Sequence, residues 1–389
     1  TNVTSITSGT LSDLDTLATA INASPAQFIN ATNLTTNAVS DTAIDISNSS
    51  STIDSLDLID SGSSIDMNMA SGATITVAAN EITEMLTDES AGRLTRSDQN
   101  ITVEGAISVS DANLLDATTT GTVTAEISSS SVDTLKTLTG TNAYTITIAA
   151  ADATGSTAAE LTTISNATTV AIDASAVTGL ASDTAANIKT LLTAGNDTAQ
   201  FTGASFGSLA TAVVSDTTLS GSDLAGAIDQ ANTATGGTGT VFTISAVNTI
   251  TGSEADFTDL LTDEGNTQIE ITDQALTVNT GEVSVSTARA LSQTTTGTVT
   301  GTITSGTTIA AMLNSSSGLT DGADAYTITI AAGDAEATAT DLTALYGKTS
   351  VAVDASAVTQ ITGPVAEANI VYAAGSSEIT GLGNEIVVT

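Results

Sequence analysis

AYTITIAA, residues 143–150, recurs letter for letter at residues 325–332. Inside it Tyr144, Ile146 and Ile148 alternate with Thr145 and Thr147. A period of two places the large apolar side chains on one face of a strand and the threonines on the other. Threonine suits a half-exposed strand, because its branched Cβ fits the pleat while its hydroxyl meets water. Val123, Ala125 and Ile127 alternate in the same way with Thr124 and Glu126. Reading outward, TTTGTVT at 118–124 returns at 294–300, and TVAIDASAVT at 169–178 returns as SVAVDASAVT at 350–359. A block of about a hundred residues starting at Gly105 therefore recurs from Gly281. The expected organisation is divergent N-terminal repeats over 1–104, a first long block over 105–280 and a second over 281–389.

Between the strands the period changes. Ile82/Met85/Leu86, Ile188/Leu191/Leu192 and Phe257/Leu260/Leu261 fall at i, i+3, i+4, and Leu161/Ile164 and Leu342/Leu345 are shorter versions. Ser or Thr followed by an acid precedes several of these stripes: Ser12-Asp13, Ser110-Asp111, Ser182-Asp183, Ser222-Asp223, Ser253-Glu254 and Thr340-Asp341. Such a pair reads as a helix N-cap with an acid in the first turn. The finer unit is then a short helix, a turn and a strand, at roughly 20–32 residues, repeated about 13 times. Strands joined through helices are expected to pair in parallel. The predicted fold is a repeat solenoid of short helices alternating with parallel β-strands, a β-rich α/β solenoid. A string of β-sandwich domains is the alternative.

Composition narrows the function. The 389 residues carry a formal charge of -37, from 43 acids against 6 bases, with no Cys, His or Trp and two Pro. Threonine alone makes up roughly a fifth of the chain, several times its ordinary share. A nucleic-acid footprint needs clustered Lys and Arg and is excluded. Disulfides and thiolate metal sites are absent. No stretch approaches the ~18 apolar residues of a membrane span. The 40% of hydrophobic residues and the clear periodicity oppose disorder, which the charge and the scarcity of aromatics would otherwise favour.

The segments TTTGTVTAEIS (118–128), TTVAIDASAVTGL (168–180) and EITGLGNEIVV (378–388) resemble repeat units of giant surface proteins of marine cyanobacteria and other aquatic bacteria. The composition is also similar to that of bacterial S-layer proteins. The resemblance covers most of the chain, less clearly before Gly105, and its motifs are low in complexity. It implies secretion, a cell-surface or extracellular location and a structural or adhesive role, and it transfers no catalytic residue.

Catalytic chemistry is thin. Without His there is no Ser-His-Asp arrangement and no imidazole ligand, and there is no Gly-x-Ser-x-Gly elbow or P-loop. A carboxylate pair, as in a secreted polysaccharide-active enzyme, stays conceivable, but the acids recur where helix caps account for them. The expectation is no enzyme. Calcium is the candidate cofactor, since carboxylates and carbonyls are its hard oxygen ligands. Its candidate ligands are Asp54, Asp57 and Asp60, then Asp263 and Glu264 with Asn266, then Asp321 and Asp324. A solvated acidic face is the plainer account of all three clusters. Thr122/Thr124, Thr145/Thr147, Thr298/Thr300 and Thr327/Thr329 raise ice binding, although varying repeat lengths argue against a regular ladder. Asn-x-Ser/Thr sequons at Asn2, Asn22, Asn30, Asn33, Asn48, Asn100, Asn166, Asn196 and Asn314 follow from composition alone.

The expected function is a non-enzymatic structural component: an S-layer, a giant surface protein segment or a filament subunit. An adhesin for a cell or a surface polysaccharide is the rival. The sequence opens on a strand-like alternation at 1–7, ahead of a helix at Leu11/Leu14, and closes on Ile386-Val387-Val388 without a polar cap. These ends read as continuation into further repeats or as head-to-tail self-association. The missing signal peptide reads as processing or as an excerpt of something longer.

Overall fold

The computed structural model describes residues 71–383, apart from 92, 93, 238 and 323, together with short strand segments at 5–6, 35–36, 43–45, 67–68 and 387–388. The chain forms two compact units: Thr1–Val177 with Asp197–Ser205, and Thr178–Asn196 with Phe206–Thr389.

In the first unit a five-stranded sheet runs in chain order: Ala43–Asp45, Thr74–Ala78, Asn100–Ile107, Val123–Ile127 and Ala143–Thr145. Helices Ile82–Ser90, Val109–Thr118 and Val132–Leu135 fill the connections between the last four. Every pairing in this sheet is parallel, as crossover helices require. The alternation read from sequence sets the faces. Ile75, Val77, Ile101, Val103, Val123, Ala125 and Tyr144 are buried, and the residues between them point outward. A bulge in Asn100–Ile107 shifts the register after Thr102, where Gly105 takes a φ of 94° that side chains disfavour.

The second unit repeats the scheme. Gly179–Asp183, Thr211–Val214 and Val241–Thr243 form one parallel sheet. Thr218–Ser220, Thr249–Ser253, Ala275–Thr280, Val299–Thr302 and Ala325–Thr327 form another. Glu336–Thr338, Gln360–Thr362 and Val387–Val388 pair in parallel, as do Val353–Asp354 and Ile379–Thr380. Helices alternate with these strands and bury most of the expected stripes: Ile188/Leu191/Leu192, Phe257/Leu260 and Leu342/Leu345 are all buried, and Leu261 is half-buried. Full burial of one such side chain contributes about 1.5–3 kcal/mol. The architecture is thus an α/β alternation of helices with parallel sheets. Parallel pairing through helices replaces the alternative of β-sandwich domains, whose sheets are antiparallel.

The two sequence copies share their fine structure. Gln99 Oε1 accepts the main-chain N–H groups of Ser97 and Asp98 at 2.6 and 3.2 Å, and Gln274 Oε1 accepts those of Thr272 and Asp273 at 2.8 and 3.3 Å. Thr119 donates to the Gln99 carbonyl at 2.6 Å, as Thr295 does to that of Gln274 at 2.7 Å. Thr168 and Thr349 donate to the carbonyls of Tyr144 and Tyr326 at 2.7 and 2.8 Å.

Helix starts differ in detail from the expected Ser/Thr-acid pair. Ser253 is an N-cap, as expected, and forms a full capping box with Asp256. At three other helices the cap stands two residues earlier, at Ser108, Ser220 and Thr338, and the acid sits at the third helical position as Asp111, Asp223 and Asp341. For Ser182-Asp183 the cap is the following Thr184. The reason is geometric: the cap oxygen reaches the N–H two or three residues on, so a cap and its acid are separated rather than adjacent. Ser12-Asp13 and the expected helix at Leu11/Leu14 lie outside the described residues.

Candidate functional site

The three acidic clusters have different fates. Asp54, Asp57 and Asp60 lie outside the described residues. Asp321 and Asp324 are close in sequence but separately engaged. Asp321 is exposed and pairs with Lys348 Nζ at 2.6 Å. Asp324 is buried; its Oδ1 accepts the Val299 N–H at 2.8 Å and its Oδ2 accepts the Tyr326 hydroxyl at 3.3 Å. Asn142 holds the same place in the first copy, with Oδ1 on the Val123 N–H at 2.9 Å and its amide donating to Asp116 Oδ1 at 2.7 Å. The Asp324 carboxylate is thus an acceptor that one repeat offers to the one before it.

Asp263 and Glu264 end the helix Glu254–Gly265, with Asn266 as its C-cap. Asp263 is buried, and burial raises its pKa to about 6, with Asp229 and Asp259 adding repulsion. Glu264 is half-buried and Asn266 is exposed. Among the described residues no group of three or more His, Cys, Asp or Glu side chains is arranged to hold a metal ion.

Four of the described cations share an arrangement that the sequence pattern did not reveal. Lys136 bridges Asp133 at 2.5 Å and Glu160 at 2.7 Å, the latter 24 residues on. Those two carboxylates hold the Lys136 ammonium well above its usual range, and Lys136 in turn draws Glu160 down. Lys189 pairs with Asp223 across 34 residues. Arg289 donates to the Gly318 carbonyl across 29 residues, and the Lys348–Asp321 pair spans 27. Each separation is about one repeat, so the cations join consecutive helix–strand units. Arg96 has a fully buried side chain that bonds Glu89 at 2.7 Å and Thr118, while its Nε and Nη1 find no partner among the described residues. Only spacing by one repeat length could have flagged these pairs in advance, and single Lys–acid matches are too common to stand out.

A shallow cleft of about 400 Å³ has Ile309, Leu313 and Ala337 in its wall and Asp334, Glu336 and Asp341 around it. Two of these acids already serve the fold. Asp334 accepts the Ile309 N–H at 2.8 Å, and Asp341 occupies the first turn of its helix. Burial pushes the Tyr144 and Tyr326 hydroxyls well above the ordinary tyrosine range, with Asp116 and Asp324 adding to it. Both stay protonated and donate to main-chain carbonyls, of Ala112 and Ala288 respectively. Among the described residues no helix is long and apolar enough to cross a membrane.

No family model, no curated protein and no solved structure matches the chain.

Proposed function

We propose that the chain is a non-enzymatic structural component of a bacterial cell surface or extracellular assembly, with its helix–strand units stacked as a solenoid within each compact unit. The observation that carries this reading is where the chemistry goes. Polar side chains that could have built a site are instead engaged between consecutive repeats. Asp324 and Asn142 accept main-chain N–H groups, and the cations bridge neighbouring units. A stack whose stability is a sum of neighbour contacts extends without a central active site. The net charge of -37 suits a surface bathed in salt, where repulsion over more than about 10 Å is screened at 0.1 M.

The test is localisation on intact cells of the source, by labelling the native surface and imaging it. Dense labelling over the envelope is the expected result. Confinement of the protein to the cell interior would overturn the proposal.

A further inference from the structure

The outward sheet faces carry rows of threonine whose hydroxyls are unused. Thr76 pairs in register with Thr102, and Thr102 with Thr124. In the second unit Thr251 pairs with Thr277, and Thr277 with Thr300. The hydroxyls of Thr76, Thr102, Thr124, Thr277 and Thr300 bond no described group. Thr251 makes one long contact, at 3.5 Å, with the Leu219 carbonyl.

Helical threonines behave differently. Thr162, Thr163, Thr190, Thr193 and Thr258 each donate to the carbonyl four residues back, at 2.7–2.9 Å. A strand offers no such carbonyl, so its threonines keep both donor and acceptor capacity for whatever lies outside.

We propose that these sheet faces bind ordered water, as at the surface of an ice crystal. Strand pairing sets the spacing within a row at about 4.8 Å, and alternate positions along a strand lie about 6.7 Å apart. Thr74 and Thr249 open their strands and Thr122 and Thr298 stand just ahead of theirs, with Asn100 and Ala275 on the strands between them. The result is a small two-dimensional lattice of hydroxyls and methyls on a rigid support, with repeats on the scale of the oxygen lattice of ice. Repeat length varies, from 76 to 102 and then from 102 to 124, yet the register holds because helices and turns absorb the difference. That removes the sequence-level objection to a ladder.

The occupant is chosen by what the face lacks. Each hydroxyl contact nets only about 0.5–1.5 kcal/mol, so a small dissolved ligand touching one or two gains little. A solid lattice engages a whole row at a single ordering cost. A polysaccharide would find no aromatic ring in these rows: Tyr144, Tyr326, Phe201, Phe206, Phe242 and Phe257 are buried, and the exposed Tyr372 lies on the helix Val365–Glu378 instead. The second-unit row runs from Ser220 to Ala325 without a charge, which suits an uncharged partner, whereas in the first unit Asp45 stands in register beside Thr76 at the end of the row. This inference stands apart from the structural proposal.

The test uses the full chain. It is incorporated into a slowly growing ice hemisphere, and its thermal hysteresis is measured in parallel. We expect enrichment in ice and measurable hysteresis for the natural sequence. The double variant Thr102→Lys/Thr277→Lys should lose both severalfold, whereas Thr193→Lys, on a helix, should retain them. Circular dichroism and melting check that each variant folds. If the lysine pair does not fold, Thr102→Val/Thr277→Val removes the hydroxyls with little change of shape and should also weaken both readouts. Exclusion of the natural sequence from ice would overturn the proposal. So would unchanged hysteresis in folded row variants, or retention on insoluble polysaccharide without any effect on ice.

Discussion

Asp324 Oδ1 stands 2.8 Å from the main-chain nitrogen of Val299 and closes off a buried N–H that its own strand leaves open. Asn142 does the same for Val123 in the other copy, so the molecule contains its own control. Asp324→Asn should keep urea stability within about 1 kcal/mol of the natural sequence. Asp324→Ala leaves the N–H buried and unpaired and should cost about 1–3 kcal/mol. An alanine variant with an unshifted urea midpoint would show that the bond contributes nothing.

Asp263 makes stability depend on pH in an unusual direction for a carboxylate. Its folded pKa is about 6, above the 3.8 of an ordinary aspartate. The folded state therefore binds the proton more tightly than the unfolded one. The penalty for the buried charge is fully present above about pH 6 and is relieved as the pH falls toward 4. Asp263→Asn should raise the melting temperature at pH 7.5, by up to the order of 2–3 kcal/mol in stability. The advantage of the variant should shrink through pH 6–4. An advantage that stays constant across that window would contradict this account.

Two glycines are fixed by close approach. A Cβ on Gly121 would lie 2.3 Å from the Gln99 carbonyl oxygen, and one on Gly297 would lie 2.4 Å from that of Gln274. Alanine at either position must displace main chain and should cost about 1–3 kcal/mol. Gly265, the last residue of its helix, meets nothing within 4 Å. Gly265→Ala should be neutral, or stabilise by up to about 1 kcal/mol through helix propensity. Chemical denaturation of the three variants side by side checks the contrast.

Salt and calcium should act differently here. Screening of like charges predicts a melting temperature that rises with sodium chloride. Asp321 is paired with Lys348, and Asp263 is buried. Any further effect of calcium at matched ionic strength should therefore be unchanged by Asp321→Asn or Asp263→Asn. A calcium response abolished by either substitution would identify that residue as a calcium ligand.

Much of the fold was legible. The alternation in AYTITIAA placed Tyr144, Ile146 and Ile148 inside and Thr145 and Thr147 outside, as the structure has them. Period and turn chemistry are local, so they survive in sequence. The exact caps did not come through, because Ser108 and Ser110 look alike until the backbone decides which precedes the first turn. Register was hidden as well. That Thr76, Thr102 and Thr124 line up depends on how the intervening helix and turn take up slack, which no periodicity records. The separate engagement of Asp321 and Asp324 was hidden for a related reason. Closeness in sequence gave Asp321 and Asp324 a common role, whereas one turns out to Lys348 and the other inward to Val299.

The pairing of cations between repeats also bears on proteolysis. A trypsin-like protease must draw a lysine or arginine into a deep acidic pocket. Lys136, Lys189, Arg289 and Lys348 are each already held by an acid or a carbonyl about one repeat away, and Arg96 is buried against Glu89 seven residues back. Digestion there has to wait until the local packing opens. Once it opens, these rare sites yield very long fragments, so the pattern of tryptic products over time reports which repeats come apart first.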